Sequence, residues 1–122
     1  CVRQYPGRLY GLAHVPEWTV EDDPEAAARM VEVAVNEQGL SGLQFLISQI
    51  HLYGKNPDWT SDGYRLFWDR FAQLGVLLFL SFSMNEPKRD PWIDSYFVEL
   101  QRLVDWMERY PDTQVVMTHG IQ

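Results

Sequence analysis

The chain has a single cysteine, Cys1, among 122 residues, so no internal disulfide and no multi-cysteine zinc site can form within it. A reducing, cytoplasmic setting is the expectation that follows. Basic residues are scarce: ten Lys and Arg against seventeen Asp and Glu give a net charge of -7. Such a surface repels phosphate backbones and anionic lipids, so neither nucleic acid nor a membrane is expected as a partner. Long apolar runs are missing too. The longest, Val76-Leu77-Leu78-Phe79-Leu80, falls far short of the ~20 residues that cross a bilayer. There is no glycine-rich phosphate loop, no His-x-His, no His-Glu-x-x-His and no Gly-x-Ser-x-Gly elbow. A catalytic metal site usually takes at least three protein ligands, so His14, His51 and His119 would have to converge in space.

What is present is a globular composition, 46% hydrophobic and 22% charged, which argues against disorder and fits one domain at most. The hydrophobic pattern alternates between two periods. Leu9 to Val15 reads as a strand. Asp23 then offers an N-cap, Pro24 suits the first helical position, and Ala27, Met30, Val31, Ala34 and Val35 form a helical stripe ended by Gly39. Leu43 to Ile50 is a second strand. Ser61 caps a helix with Tyr64, Phe67, Trp68, Phe71 and Leu74 on one face, and Gly75 stops it. Val76 to Phe82 is a third strand, apolar on both faces as a covered parallel strand should be. Pro91 opens a long helix carrying Phe97, Leu100, Val104 and Met107 on one side, and Val115 to Thr118 is a fourth strand. The order βαβαβαβ predicts an α/β fold with a parallel sheet and right-handed crossovers.

Two patterns go beyond the elements. Tyr5-Pro6 precedes a strand ending in His14, and Tyr110-Pro111 precedes one ending in His119 at the same offset. Proline as a helix stop explains this; so does a quasi-repeat of βα units. The second pattern is loop asymmetry. Helix-to-strand connections are minimal, whereas His14 to Asp22, His51 to Ser61 and Ser83 to Asp90 are long strand-to-helix connections. In parallel α/β folds function sits at the carboxyl ends of the strands. All three histidines, Lys55, Lys88, Trp18, Trp59 and Trp92 fall in or beside that end.

His119 is the leading candidate for acid/base work or metal contact. His14 occupies the equivalent place on the first strand, and His51 follows the second. Trp18, Trp59 and Trp92 suit the lining of a cavity for a flat or apolar small molecule, although packing of long loops explains them as well. Asp22, Asp23, Asp58 and Asp62 read as helix-start residues, and Glu86, Asp90 and Asp94 pair with Lys88-Arg89 at a surface.

An ordered set of fragments resembles the amidohydrolase-related family of metal-dependent hydrolases and aminocarboxymuconate-semialdehyde decarboxylase-like carboxy-lyases. It comprises Tyr5-Pro6-Gly7-Arg8-Leu9-Tyr10-Gly11-Leu12-Ala13, Asp23-Pro24-Glu25-Ala26-Ala27, Gly39-Leu40-Ser41-Gly42-Leu43-Gln44, Phe67-Trp68 with Leu74-Gly75-Val76, and Tyr110-Pro111-Asp112 running to His119-Gly120. The resemblance implies a (β/α)8 TIM barrel of which residues 1–122 form one partial domain, strands three to six. It implies a small-molecule substrate and a divalent metal, zinc by expectation, in the complete protein. His119 then matches the histidine ending the sixth strand, as catalytic group or ligand. Ser81 stands where the family has a metal-binding histidine after the fifth strand, and a hydroxyl is a poor substitute for imidazole on a divalent metal. His14, Trp18, His51 and Trp92 would bind substrate. The activity expected first is hydrolysis of an amide, ester or lactone-like bond. Decarboxylation is the alternative, and a metal-free, non-catalytic relative is another. A separate flavodoxin-like binding module is a third class, and it requires helices on both sheet faces. About half a barrel would lack activity alone, and its unpaired outer strands would favour a homodimer.

Overall fold

The computed structural model describes residues 2–82 and 92–118, and in the second stretch the side chains from 96 onward. Lys88, Pro91, His119 and the side chain of Trp92 therefore lie outside the described residues. Four parallel strands alternate with helices: β1 Leu12–His14, α1 Pro24–Asn36, β2 Gly42–Leu46, α2 Ile47–Tyr53, α3 Asp62–Leu74, β3 Leu77–Ser81, α4 Trp92–Arg109 and β4 Val115–Thr118. The sheet runs β1-β2-β3-β4 in chain order, and every pair is parallel. Strand order never reverses, so the sheet has no switch point of the kind a flavodoxin-like module uses. Right-handed crossovers in this order place the helices on one face. None of the described helices is long and apolar enough to cross a membrane.

The register divides the sheet into two faces. Leu43 and Phe45 of β2 and Leu78 and Leu80 of β3 are fully buried beneath the helices. Leu12, His14, Gln44, Leu46, Phe79, Ser81, Val116 and Thr118 alternate with them on the other face. Against the buried face α1 lays Ala27, Ala28, Val31 and Ala34, and α3 lays Tyr64, Phe67, Trp68 and Phe71. Trp68 is the aromatic centre, with ring centroids at 4.8 Å from Phe45, 4.9 Å from Phe67, 5.2 Å from Trp106 and 5.9 Å from Trp59. Arg70 of α3 grips Glu32 of α1 with two parallel hydrogen bonds, from Nε at 2.7 Å and from Nη2 at 2.5 Å.

Local chemistry sets the element ends. The Asp23 carboxylate accepts the Ala26 amide at 2.9 Å, and Pro24 follows at the first helical position. Gly75 ends α3 in the left-handed region, φ 64°, where a Cβ would be strained. Gly42 is needed for a different reason: a Cβ there would lie 2.4 Å from the Leu77 carbonyl oxygen. Only a glycine lets β2 and β3 meet at that point.

Four expectations are corrected. The first strand begins at Leu12 and not Leu9, because the Arg8 and Leu9 amides both turn back to the Tyr5 carbonyl. The second strand stops at Leu46. Ile47 and Ile50, both buried, then continue at helical spacing as α2, so His51 stands on a helix. In α1, Met30 is exposed and Ala28 takes its place in the buried stripe. The largest change is in α4, where Phe97, Val104 and Met107 are exposed and the buried set is Glu99, Leu103 and Trp106, leading into Tyr110. The spacing of that set is also helical. It was obscured because a charged residue belongs to it.

Both flanks of the sheet are open among the described residues. A groove of about 500 Å³, lined by Leu12, His14, Met30, Val33 and Leu40 among others, runs beside β1 and α1. On the other flank Val116 and Met117 of β4 are exposed.

Two buried tyrosines make a prediction for alkaline solution. The Tyr110 hydroxyl donates to Asp69 at 2.6 Å, and the Tyr64 hydroxyl to the Asn56 carbonyl at 3.3 Å. Burial first, then the Asp69 hydrogen bond, pushes Tyr110 up to about 12. Burial first, then Glu21, Asp22 and Asp58, pushes Tyr64 up to about 12. Unfolded tyrosine gives up its proton near its ordinary value of about 10, so the folded state binds the extra protons. Stability therefore falls as pH rises above that value, by up to about 1.4 kcal/mol per pH unit for each tyrosine. Urea unfolding as a function of alkaline pH reads this slope directly, and Tyr110→Phe should make it shallower.

Candidate ligand-binding mouth

The carboxyl ends of the strands gather a small polar set on the face away from the helices. Register places His14 beside Gln44, Gln44 beside Phe79, and Ser81 between Leu46 and Thr118. The Ser81 and Thr118 hydroxyls are 2.6 Å apart and hydrogen-bonded, and Thr118 also reaches the Leu80 carbonyl at 3.5 Å. Leu46, Phe79 and Val116 give the same face apolar area. This combination of a few polar groups on an apolar wall is what small-molecule sites use.

Just past His14 the chain makes a short 3-10 turn, Glu17–Thr19, held by the Thr19 amide and hydroxyl on the Pro16 carbonyl. The turn points Glu17 inward. Its side chain is fully buried, and Oε1 accepts the Leu46 amide at 2.9 Å. That amide lies at the carboxyl end of β2, where β1 has already ended and cannot pair with it. The His14 Nδ1 lies 3.6 Å from the same Oε1. Among the described residues Glu17 Oε2 has no hydrogen-bond partner. Burial raises the carboxyl above its ordinary value, and two backbone hydrogen bonds and the field of His14 oppose that rise.

Trp18 of the same turn is partly exposed and meets Tyr53 of α2 edge-on, with centroids 5.4 Å apart. His14 ends β1 and Trp18 belongs to the turn that follows it. His51 is committed elsewhere: its Nε2 lies 3.0 Å from Glu99 Oε1. Glu99 is buried and also receives the Trp59 indole N–H at 2.7 Å and an Arg102 guanidinium N–H. Trp59 is fully buried in that network, so loop packing, the plainer of the two readings of this tryptophan, is the one realised. Trp92 begins α4. Ser81 ends β3 with its hydroxyl tied to Thr118.

No group of three His, Cys, Asp or Glu that could hold a metal ion occurs among the described residues. With Ser81 bonded to Thr118, these residues do not by themselves fit a divalent metal. Glu17, Gln44, Thr118 and Glu99 were missed in the sequence. Glu17 follows a proline at a strand exit and reads as a surface residue. Glu99 carried a usable signal, its helical spacing with Leu103, Trp106 and Tyr110.

No family model and no curated protein matches the chain. Solved structures do. A 2,6-dihydroxybenzoate decarboxylase from Rhizobium superposes with a TM-score of 0.70 at 21% identity, over 97% of this chain and 41% of that one. A dihydroxybenzoic acid decarboxylase from Polaromonas sp. JS666, with bound manganese and the inhibitor 2-nitroresorcinol, gives 0.70 at 22% identity, over 97% and 40%. An amidohydrolase-like protein from Staphylococcus aureus gives 0.62 at 22%, over 95% and 43%.

The chain has the fold of about half a (β/α)8 barrel.

It spans about two-fifths of the length of each of these structures. The half-barrel expectation is met, and the strand ends identified above are the mouth of that half-barrel. Function in such barrels gathers at this end, which is where the long strand-to-helix connections lie.

Proposed function

We propose that this chain supplies strands three to six of a metal-dependent carboxy-lyase of amidohydrolase type, acting on a small carboxylated aromatic molecule. The observation that supports this reading is the superposition on two dihydroxybenzoate decarboxylases at 0.70. A 5-carboxyvanillate decarboxylase from Sphingomonas paucimobilis superposes at 0.61, level with the amidohydrolase-like protein at 0.62, so the fold itself suits either reaction. The expectation from the sequence put hydrolysis first and decarboxylation as its alternative. Hydrolysis is the second reading, favoured by the Staphylococcus aureus neighbour. The face built from Leu46, Phe79 and Val116 suits a flat ring. One proton of the Ser81–Thr118 hydroxyl pair lies between the two oxygens, so the pair offers a carboxylate at most one donor, and His14 and Trp18 border the rim.

A divalent metal in the complete site would stabilise negative charge developing on the substrate. Manganese is bound in the Polaromonas neighbour, whereas zinc is the expectation from the sequence. His119 is proposed as the acid/base or metal-contacting residue of this segment, and Trp92 as a further pocket residue. The test uses the intact protein that carries this chain, loaded with manganese or zinc. Carbon dioxide release from dihydroxybenzoates should fall about 10²–10⁴-fold in His119→Ala. Hydrolysis of amide or lactone substrates without carbon dioxide release would replace this reading with the second. Unchanged carbon dioxide release in His119→Ala would remove His119 from its role.

A further inference from the structure

We propose that His14 and Glu17 act as one acid–base unit at the mouth, the buried Glu17 carboxylate holding the imidazole at Nδ1 so that Nε2 exchanges a proton with a bound ligand. The proposal rests on the mouth being a ligand site and does not depend on which reaction occurs there. Glu17 is fully buried, whereas the His14 side chain is 54% exposed. One partner is therefore fixed in the protein and the other opens toward solvent. Oε1 is anchored by the Leu46 amide at 2.9 Å, and β2 holds that amide in place. The carboxylate is thus a rigid reference point.

The 3.6 Å between Nδ1 and Oε1 is longer than a hydrogen bond. It is well within the range at which opposite charges bias protonation. Among the described residues Oε2 of this fully buried carboxyl is unpartnered, which is costly, and the imidazole faces the other oxygen, Oε1.

The other charged groups nearby are occupied. On α2, which packs against the turn, His51 is held by Glu99, and beyond it Lys55 binds Asp22 at 2.7 Å. Glu21 receives the Asn56 side-chain amide at 3.1 Å. On α1, Arg29 borders the same groove as His14 and pairs with Glu25 at 3.2 Å. On β2 the neighbour of His14 is the neutral Gln44. His14 alone among these faces Glu17 with a charge that can change.

The proton balance is simple. When Nε2 takes a proton from a ligand, one N–H bond forms, the ligand's bond to hydrogen breaks, and the imidazolium faces the carboxylate. Release reverses both, leaving a neutral ring with hydrogen on Nδ1. Glu17 touches no ligand and is a positioning residue. His14 does the exchange.

Ring nitrogen NMR of the ¹⁵N-labelled intact protein tests this, followed over roughly pH 5 to 9, with the His14 signals assigned by their loss in His14→Gln. The expected result is a neutral ring carrying hydrogen on Nδ1, a tautomer preference that is lost in Glu17→Gln. Glu17→Asp should restore part of the preference, which a merely structural role would not do. An unchanged tautomer preference in Glu17→Gln, or a neutral ring with hydrogen on Nε2 in the unaltered protein, overturns the proposal. If Glu17→Gln does not fold, the tautomer of the unaltered protein decides alone. None of these readouts involves turnover, so loss of the decarboxylase reading and loss of this one are distinguishable.

Discussion

Glu99→Ala should lower the unfolding free energy by about 3–5 kcal/mol, the cost of removing one partner from a buried charged set. Glu99 is 1% exposed, and three donors converge on it: the Trp59 indole, His51 Nε2 and the Arg102 guanidinium. Arg102 also lies 3.4 Å from Asp58 and donates to the Pro57 carbonyl at 3.4 Å. One carboxylate on α4 thereby ties down α2 and the whole connection from α2 to α3. Alanine leaves the buried Trp59 indole N–H without its acceptor, which cannot turn to water cheaply, and leaves Arg102 with only Asp58 and the Pro57 carbonyl. Glu99→Gln keeps the shape and one acceptor oxygen, so its loss should be smaller than that of alanine but still clear. Urea midpoints for both variants check the order. A loss under about 1 kcal/mol for alanine would mean that the network is only a surface pairing.

Trp68→Ala is the second large effect, again about 3–5 kcal/mol, the usual range for deleting a large buried aromatic side chain. Trp68 is 1% exposed, and five aromatic rings lie within 5.9 Å of its own, Phe71 being the fifth at that distance. These partners come from β2, the connection from α2 to α3, α3 itself and α4. No single neighbour can move in to fill the space without abandoning another contact. The indole N–H also donates to the Trp59 carbonyl at 2.8 Å. Trp68→Phe separates the two contributions, keeping most of the packing and leaving that carbonyl unpaired. Its expected cost is about 1–3 kcal/mol. Thermal and urea unfolding of the two variants should preserve the order alanine, then phenylalanine, then the unaltered chain.

The residues differ in how openly they announced their places. Asp23-Pro24 and Gly75 were legible because a cap or a left-handed turn is local chemistry, decided within three or four residues. The strand order was legible because short helix-to-strand links leave a parallel sheet few alternatives. Leu43 to Ile50 was not resolved into strand and helix, since a short apolar run satisfies either period. What divides it is tertiary: the Leu46 amide finds Glu17, twenty-nine residues earlier. On α4 two stripes compete, and the more hydrophobic one, Phe97 with Val104 and Met107, is the exposed one. Glu99 outweighs them because its donors come from elsewhere in the chain, which no window of sequence displays. The mouth was half legible. Strand-end histidines pointed to it, but Gln44, Ser81 and Thr118 become neighbours only through register.

The three buried indoles have an optical consequence. Trp59, Trp68 and Trp106 lie with ring centroids 5.9, 6.5 and 5.2 Å apart, and they belong to a loop, α3 and α4 respectively. At such distances, and at fixed tilts, they should act as one strongly coupled chromophore in near-ultraviolet circular dichroism, a signal that vanishes when fixed packing is lost. The protein therefore carries its own dye. Loosening of α4 from that loop would be visible as loss of this band while the backbone signal of the helices persists, with no label attached.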